Sequence, residues 1–125
     1  MKRSLAKTQK KLWELCKKIT RKKFPNVCYT CGKGGLEGSN WHTGHMWPKA
    51  SLGANLKYDL RILRPQCYHC NINLGGNGAV FYRRMLDQIG KKEMNRLEKE
   101  RSLTIKAEDH YLKLIDEYTK LLSSL

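Results

Sequence analysis

Two pairs of closely spaced cysteines form the most informative pattern in this sequence. They are Cys28 with Cys31 and Cys67 with Cys70, each spaced as C-x-x-C. Each pair can present two thiolates to one ion, and four thiolates fill the tetrahedral coordination that Zn²⁺ prefers. A zinc ion whose four positions are all filled by protein has none open for catalysis. The spacing therefore predicts a structural Zn²⁺ that ties together the ends of the intervening segment.

A His-Thr-Gly-His run lies between the cysteine pairs, and an asparagine follows the second pair directly. Hydrolysis of a phosphodiester needs a base to activate water and a cation near the developing charge. His45 is a candidate base, because histidine ordinarily titrates near neutral pH. The side-chain oxygen of Asn71 suits a hard divalent ion such as Mg²⁺ or Mn²⁺. The residues alone leave open that His45 only satisfies local hydrogen bonds and that Asn71 only caps a helix.

The chain is strongly basic, with a net charge of +14 over 125 residues and a pI near 9.8. Such a field favours a polyanionic partner, and nucleic acid is the leading candidate. The charge alone also fits a ribosomal protein or a membrane-surface binder. Several cations are candidate phosphate contacts, with ordinary surface charge as the alternative. They are Lys17, Lys18, Arg21, Arg61, Arg64, Arg83 and Arg84.

Length and composition predict one small domain with a thin core. The hydrophobic fraction is 40% and the mean hydropathy is −0.66, so a bound metal would add needed folding free energy. No apolar run approaches the roughly 18 residues of a membrane span. The basic N-terminus is not followed by a continuous apolar stretch, so we expect no signal peptide. A cytoplasmic location is therefore expected, where paired cysteines bind metal more often than they form disulfides.

A basic amphipathic helix is predicted at the start of the chain, within residues 1–25. Leu12, Leu15, Cys16 and Ile19 recur at helical spacing and define its apolar face. Cys16 on this face is expected to be a plain buried thiol. The cationic face is either simply solvated or lies along a phosphate backbone.

The core that would position the candidate site residues is predicted within residues 26–90. Two short strands, at residues 41–47 and 60–64, are expected to pair with each other between the cysteine pairs. A helix should then begin with Asn77 as its N-cap and end at Gly90.

Residues 91–125 are predicted to be a helical extension. Thr104 is expected to cap its final helix, whose apolar residues between Tyr111 and Leu122 keep helical spacing. Packing or dimerisation is the expected role of that helix. The chain is therefore expected to be an α+β protein with a small core flanked by N- and C-terminal helices.

At the residues that could do chemistry, the sequence resembles two related groups of His-Me finger (HNH-like) nucleases. One is the phage endonuclease VII group, which resolves branched DNA. That group has two C-x-x-C pairs, a general-base histidine between them, and a metal-binding asparagine after the last cysteine. The four cysteines, His45 and Asn71 fill those positions here.

The sequence is more similar to the phage NinG (Rap) recombination family. The shared pattern is C-x-x-C-G, H-x-G-H, a Leu-basic-aromatic run, Q-C-x-x-C-N and G-N. These segments occupy residues 28–32, 42–45, 56–58, 66–71 and 76–77. Tyr82 and the Ile89-Gly90 pair continue the likeness, which covers roughly residues 28–90 and part of the C-terminal helix.

The resemblance implies a zinc-stapled ββα-metal fold and a metal-dependent endonuclease for branched DNA, such as Holliday junctions in phage recombination. His45 would deprotonate the attacking water, and a divalent ion at Asn71 would stabilise the negative charge on the leaving 3′-oxygen. Two positions depart from the related groups. Gly44 stands where the endonuclease VII group has an aspartate ligand, and Ile62 lies near the position of the middle HNH asparagine. His42 is the candidate for the missing ligand, with phosphate contact or a supporting role as alternatives.

Resolution of a four-way junction needs two symmetric nicks, which favours a homodimer acting on DNA in the host cytoplasm if the chain is phage-encoded. One alternative is a non-catalytic zinc-ribbon accessory protein that binds nucleic acid. It explains the charge and the cysteines but not His45 and Asn71. Another is an HNH nickase that acts on ordinary duplex DNA.

Overall fold

The computed structural model describes residues 2–125 and contains three long helices and one small sheet. The helices are α1 (Lys2–Lys23), α2 (Gly78–Arg101) and α3 (Ala107–Ser124), and the strands are β1 (His42–His45) and β2 (Leu63–Gln66). Short turns of 3₁₀ helix lie at Gly38–Asn40, Lys49–Ser51 and Leu60–Ile62, and a π-helical turn spans His69–Asn73. The predicted mixture of helices with a small sheet is confirmed. Met1 of the predicted N-terminal helix lies outside the described residues.

β1 and β2 pair in antiparallel register, with His42 opposite Gln66 and His45 opposite Leu63. The predicted strand pair therefore forms, but the second strand is displaced from residues 60–64. The Asp59 side chain accepts a hydrogen bond from the Arg61 backbone N–H at 2.9 Å, which closes residues 60–62 into a 3₁₀ turn. Pro65 lies within β2, one residue beyond the predicted end of the strand. A two-stranded ribbon has only edge strands, where a residue without an N–H is tolerated.

The amphipathic character of α1 is confirmed by its packing against α3. Leu12, Cys16 and Ile19 are fully buried in a cluster that also contains Tyr58, Leu63, Tyr111, Leu114 and Tyr118. The Cys16 thiol donates to the Tyr58 carbonyl oxygen at 3.5 Å, and burial raises its pKa to about 12. Cys16 is therefore the expected buried thiol, and α3 is the expected packing helix.

A second apolar cluster joins the segment between the two strands to α2. Its buried members are Met46, Trp47, Leu52, Leu56, Ile62, Phe81, Met85, Met94 and Leu97. The break expected at Gly90 is present, because its φ of 86° and ψ of 163° interrupt the helix. A left-handed φ of this kind favours glycine. The kink lets Met85 before it and Met94 after it reach the same cluster.

Asn77 occupies the predicted N-cap position of α2, where its carbonyl oxygen accepts from the Phe81 N–H at 3.0 Å. It adopts a left-handed conformation, with φ of 51° and ψ of 49°, and its side chain makes no capping hydrogen bond. The predicted Thr104 cap is wrong, because α3 starts at Ala107 after an extended Lys106. Within residues 2–125, no helix has both the length and the apolar character that a membrane span requires.

The Tyr118 hydroxyl links α3 to the loop before β2, and its removal should destabilise the fold. It donates to the Tyr58 carbonyl oxygen at 2.8 Å and accepts from the Leu60 N–H at 3.3 Å. We expect Tyr118→Phe to lower the free energy of unfolding in urea by about 1–3 kcal/mol, because it leaves buried polar groups unpaired. Tyr82→Phe, which loses an exposed hydrogen bond to Glu98, is the control and should change it by less than about 0.5 kcal/mol. Equal losses in both variants would contradict this role.

Candidate functional site

The four paired cysteines converge on one point, as the spacing predicts. Their Sγ atoms all lie within 4.8 Å of one another, and only Cys31 is exposed. The Sγ atoms of Cys31 and Cys67 are 3.8 Å apart. A tetrahedral zinc site with Zn–S bonds of about 2.3 Å has S–S edges of about 3.8 Å. The cluster therefore fits a structural Zn²⁺ ion, and we call it the zinc cluster.

Hydrogen-bond donors surround the sulfur atoms of the zinc cluster. The Cys70 N–H donates to Cys67 Sγ at 3.4 Å, and the Asn77 side-chain amide approaches Cys70 Sγ at 3.8 Å. The Thr30 hydroxyl lies 3.4 Å from Cys28 Sγ. Burial opposes ionisation of Cys28, but the Thr30 hydroxyl and nearby backbone amides outweigh it and lower the pKa of this thiol to about 6. These contacts favour the Cys28 thiolate, which is the form that binds metal. Burial raises the pKa of the Cys31 and Cys70 thiols.

His42 and Asn71 meet beside the zinc cluster and form a hydrogen-bonded pair. His42 Nε2 lies 2.9 Å from the Ser39 carbonyl oxygen, which can only accept, so Nε2 carries the proton. His42 Nδ1 then accepts from the Asn71 amide nitrogen at 2.9 Å. This orientation leaves Asn71 Oδ1 as the atom available to a cation. Among the three roles considered for His42, the geometry favours support of Asn71, because both ring nitrogens are already engaged.

His45 is held by a backbone carbonyl and covered by an aromatic ring. Its Nε2 donates to the Lys57 carbonyl oxygen at 2.8 Å, which leaves the lone pair on Nδ1. The Lys57 carbonyl thus provides the ring orientation that Ile62, a fully buried core residue, cannot provide. Trp13 of α1 stacks on His45 with ring centroids 5.2 Å apart and planes at 15°. Burial, reinforced by the charges of Lys49 and Lys57, lowers the pKa of His45 to about 4.

Two adjoining cavities bring these side chains into one groove. The cavities have volumes of about 350 Å³ and about 360 Å³ and share Trp13, Thr43 and Asn71 in their walls. His45 and Lys49 line the first cavity. His42, Lys17 and Arg21 line the second. We call this combined feature the basic groove, because cations stand at both of its ends. A larger cavity of about 470 Å³, lined in part by Phe24 and Arg84, contains neither His45 nor Asn71.

Gly44 is required by the packing of Gln66. A Cβ atom at Gly44 would overlap the Gln66 side chain, which is fully buried. The Gln66 amide donates to the Thr30 hydroxyl at 3.0 Å and to the Gly76 carbonyl oxygen at 2.9 Å. The hairpin therefore has no room at position 44 for an aspartate ligand.

The predicted phosphate contacts fall into separate groups. Lys17 and Arg21 line the basic groove, and Arg21 also packs over the Trp41 ring at 4.6 Å. The prediction is wrong for Arg64, which is only 5% exposed and donates to the Leu63 carbonyl oxygen at 2.8 Å and to Gln88. Arg61 forms ion pairs with Asp59 and Glu100 at 2.7 and 2.9 Å. The remaining predicted contacts, Lys18, Arg83 and Arg84, are exposed and lie outside the groove lining.

Three features of the site were missed by the sequence-based predictions. They are the Trp13 ring, the Lys49 ammonium and the Lys57 carbonyl oxygen. Trp13 precedes Lys17 by one helical turn, so an aromatic residue on the cationic side of α1 was an available signal. The Lys57 carbonyl belongs to the backbone, so the residue type at position 57 does not predict this contact.

Loss of the zinc cluster should destabilise the protein and disturb the groove. Metal binding contributes directly to folding free energy, so chelation should shift thermal unfolding to lower temperature. We expect one zinc per chain by elemental analysis and about none in Cys70→Ser. Cys16→Ala, which keeps all four ligands, is the control and should retain one zinc. Full zinc occupancy in Cys70→Ser would contradict the assignment.

The stacked indole should control the basicity of His45. Burial disfavours the charged imidazolium, so removal of the covering ring in Trp13→Ala should raise the pKa of His45 from about 4 towards its ordinary value of 6.5. NMR titration of the His45 ring measures this shift directly. Trp13→Phe keeps a stacked ring and should keep the pKa low. A wild-type midpoint near 6.5 would show that the ring is not buried in solution.

Comparison with known proteins supports the resemblance noted in the sequence at the level of the family. No curated protein and no solved structure matches the chain. The family model described as Bacteriophage Lambda NinG protein matches residues 2–125, which is nearly the whole chain. The chain therefore belongs to the bacteriophage lambda NinG protein family.

Proposed function

We propose that this protein is a metal-dependent endonuclease that cleaves branched DNA, such as Holliday junctions formed in phage recombination. One observation carries the proposal: His45 and Asn71, far apart in the sequence, line the same cavity beside the zinc cluster. A phosphodiesterase needs a base and a cation site within reach of one phosphate. The family membership of the chain and the likeness to endonuclease VII at these residues support this assignment.

The order of elements around the groove supports a ββα-metal core. β1 carries His45, β2 pairs with it, and the π-helical turn His69–Asn73 follows with Asn71, which is hydrogen-bonded to His42 of β1. The zinc cluster lies at the junction between β2 and this turn. In this interpretation Zn²⁺ has a structural role and a second, divalent ion has the catalytic one.

The tautomer of His45 suits a general base. Nδ1 holds the free lone pair and takes a proton from a water molecule, whose oxygen attacks the phosphorus while the P–O3′ bond breaks. The lowered pKa of His45 keeps this nitrogen unprotonated at neutral pH, at some cost in base strength. A Mg²⁺ or Mn²⁺ ion at Asn71 Oδ1 would stabilise the negative charge on the leaving oxygen. His42 would hold the Asn71 amide in the orientation that this needs.

The basic groove supplies affinity for the DNA backbone. Trp13, Lys17 and Arg21 follow one another at four-residue intervals, so they share one side of α1 and form one wall of the groove. Lys49 stands over the Trp13 ring at 4.7 Å at the other end. Phosphate contacts of this kind bind without base readout and weaken with salt. Selectivity would then come from DNA shape.

Paired cleavage of a junction would require two copies of the chain. The apolar faces of α1 and α3 are buried against each other, so they cannot also form the interface. A homodimer would instead use outer surfaces, such as the exposed Leu112 side of α3.

The decisive experiment compares cleavage of a labelled four-way junction with cleavage of its matching linear duplex. Each reaction is run with Mg²⁺, Mn²⁺ or EDTA. We expect metal-dependent nicks in the junction, and a loss of about 10²–10⁴-fold in rate for His45→Ala, because a general base contributes about that much. Asn71→Ala should also lose cleavage, and both variants should retain junction binding.

His69→Ala is the matched control, since His69 is an exposed histidine on the same cysteine loop and lies outside the groove lining. It should cleave like the wild type. Binding without cleavage in both metals would favour the zinc-ribbon accessory protein. Equal nicking of the linear duplex would favour the nickase that acts on ordinary DNA.

A further inference from the structure

The loop that carries the second cysteine pair exposes three large apolar side chains. Tyr68, Ile72 and Leu74 are 48%, 50% and 49% exposed. Single exposed apolar residues are ordinary on a protein surface and need no explanation. Three within one short loop are different, because clustered apolar exposure marks an interaction site. We call residues 68–74 the knuckle loop.

The backbone of the knuckle loop is held in place on both sides. Cys67 directly precedes Tyr68, Cys70 follows it by two residues, and both cysteines belong to the zinc cluster. The Tyr68 N–H donates to the Asn40 side-chain oxygen at 2.7 Å, and the Asn71 N–H donates to the Cys67 carbonyl oxygen at 3.0 Å. The exposed side chains are thus presented on a fixed frame. A ligand that contacts them need not order the loop first.

Tyr68 stands at the edge of the basic groove. Its ring contacts His42 edge-on, with centroids 5.5 Å apart and planes at 81°, and His42 is hydrogen-bonded to Asn71. Lys17 and Arg21 line the same cavity as His42. An exposed aromatic ring at the edge of a cavity lined by two cations fits a ligand that carries both an anion and a flat apolar surface. A nucleotide whose base is unstacked has both.

We propose that Tyr68 is a platform on which an unpaired base next to the cleaved phosphate stacks. This inference rests on the proposed function, and it names how the site distinguishes branched DNA from intact duplex. A base in continuous duplex must first leave its stack, which costs free energy. At a branch point that cost is smaller, because the continuous stack is already interrupted there. Ile72 extends the apolar surface along the same loop.

The test measures binding, so that its outcome does not depend on cleavage. The zinc-loaded full chain is titrated in EDTA-free buffer with Ca²⁺ against three fluorescent DNAs: a four-way junction, a single strand and a linear duplex. Base stacking on an aromatic side chain stabilises a complex by an amount equivalent to about tenfold in affinity. We expect Tyr68→Ala and Tyr68→Leu to bind the junction and the single strand about tenfold more weakly, with duplex affinity changed less than about twofold.

Two controls separate stacking from other causes. Tyr68→Phe keeps the ring and should bind all three DNAs like the wild type. Leu103→Ala removes an exposed apolar side chain from the segment between α2 and α3, outside the groove lining, and should also leave binding unchanged. Zinc content is measured for every variant. If Tyr68→Ala loses zinc, the comparison of Tyr68→Leu with Tyr68→Phe decides the test.

Three outcomes would overturn the proposal. The first is an unchanged ratio of junction to duplex affinity in Tyr68→Ala and Tyr68→Leu. The second is an equal loss on all three DNAs with zinc retained, which would assign the loop to backbone contacts. The third is a shift of sedimentation from dimer to monomer with DNA affinity unaltered, which would make the loop a protein interface. A failure of His45-dependent cleavage would instead count against the proposed nuclease.

Discussion

The zinc cluster is the constraint on which the arrangement of the groove depends. β1 and β2 pair over only four residues each, and an isolated two-stranded ribbon of that length is marginal in water. Cys67 follows directly on the last residue of β2, and Asn71 follows directly on Cys70. A metal at the four thiolates would therefore fix the end of the hairpin and the turn that carries Asn71 relative to each other. The His42–Asn71 hydrogen bond is possible only when that relation is kept.

Gln66 extends the same constraint into the interior. Its buried amide joins the first cysteine loop, through Thr30, to the glycine turn before α2, through Gly76. The side chain occupies the space beside β1 where a residue larger than Gly44 would have to fit. A carboxylate at position 44 and a buried glutamine at position 66 are thus mutually exclusive. This packing explains why no aspartate ligand stands at position 44. Asn71 is instead held by its hydrogen bond to His42.

The sequence predicted those features that local chemistry determines. Cysteine spacing located the zinc cluster, apolar periodicity located α1 and α3, and Gly90 marked the kink in α2. The errors arise where contacts between residues distant in the sequence determine the local structure. Asp59 captures the Arg61 N–H and displaces the start of β2, and Phe24 and Gln88 enclose the Arg64 guanidinium. The stacking of Trp13 on His45 joins α1 to β1 across the fold, and no pattern within either segment specifies that contact.

The stacking of Trp13 on His45 makes α1 part of the groove as well as of the core. Its apolar residues are buried against α3, while Trp13, Lys17 and Arg21 on the adjacent face line the groove. Displacement of the helix would expose the His45 ring and separate the groove cations from Asn71 at the same time. The pKa of His45 and the proposed affinity for phosphate would then change together, because one rigid element determines both. A basic N-terminal helix that served only for solubility would need no such connection to the histidine.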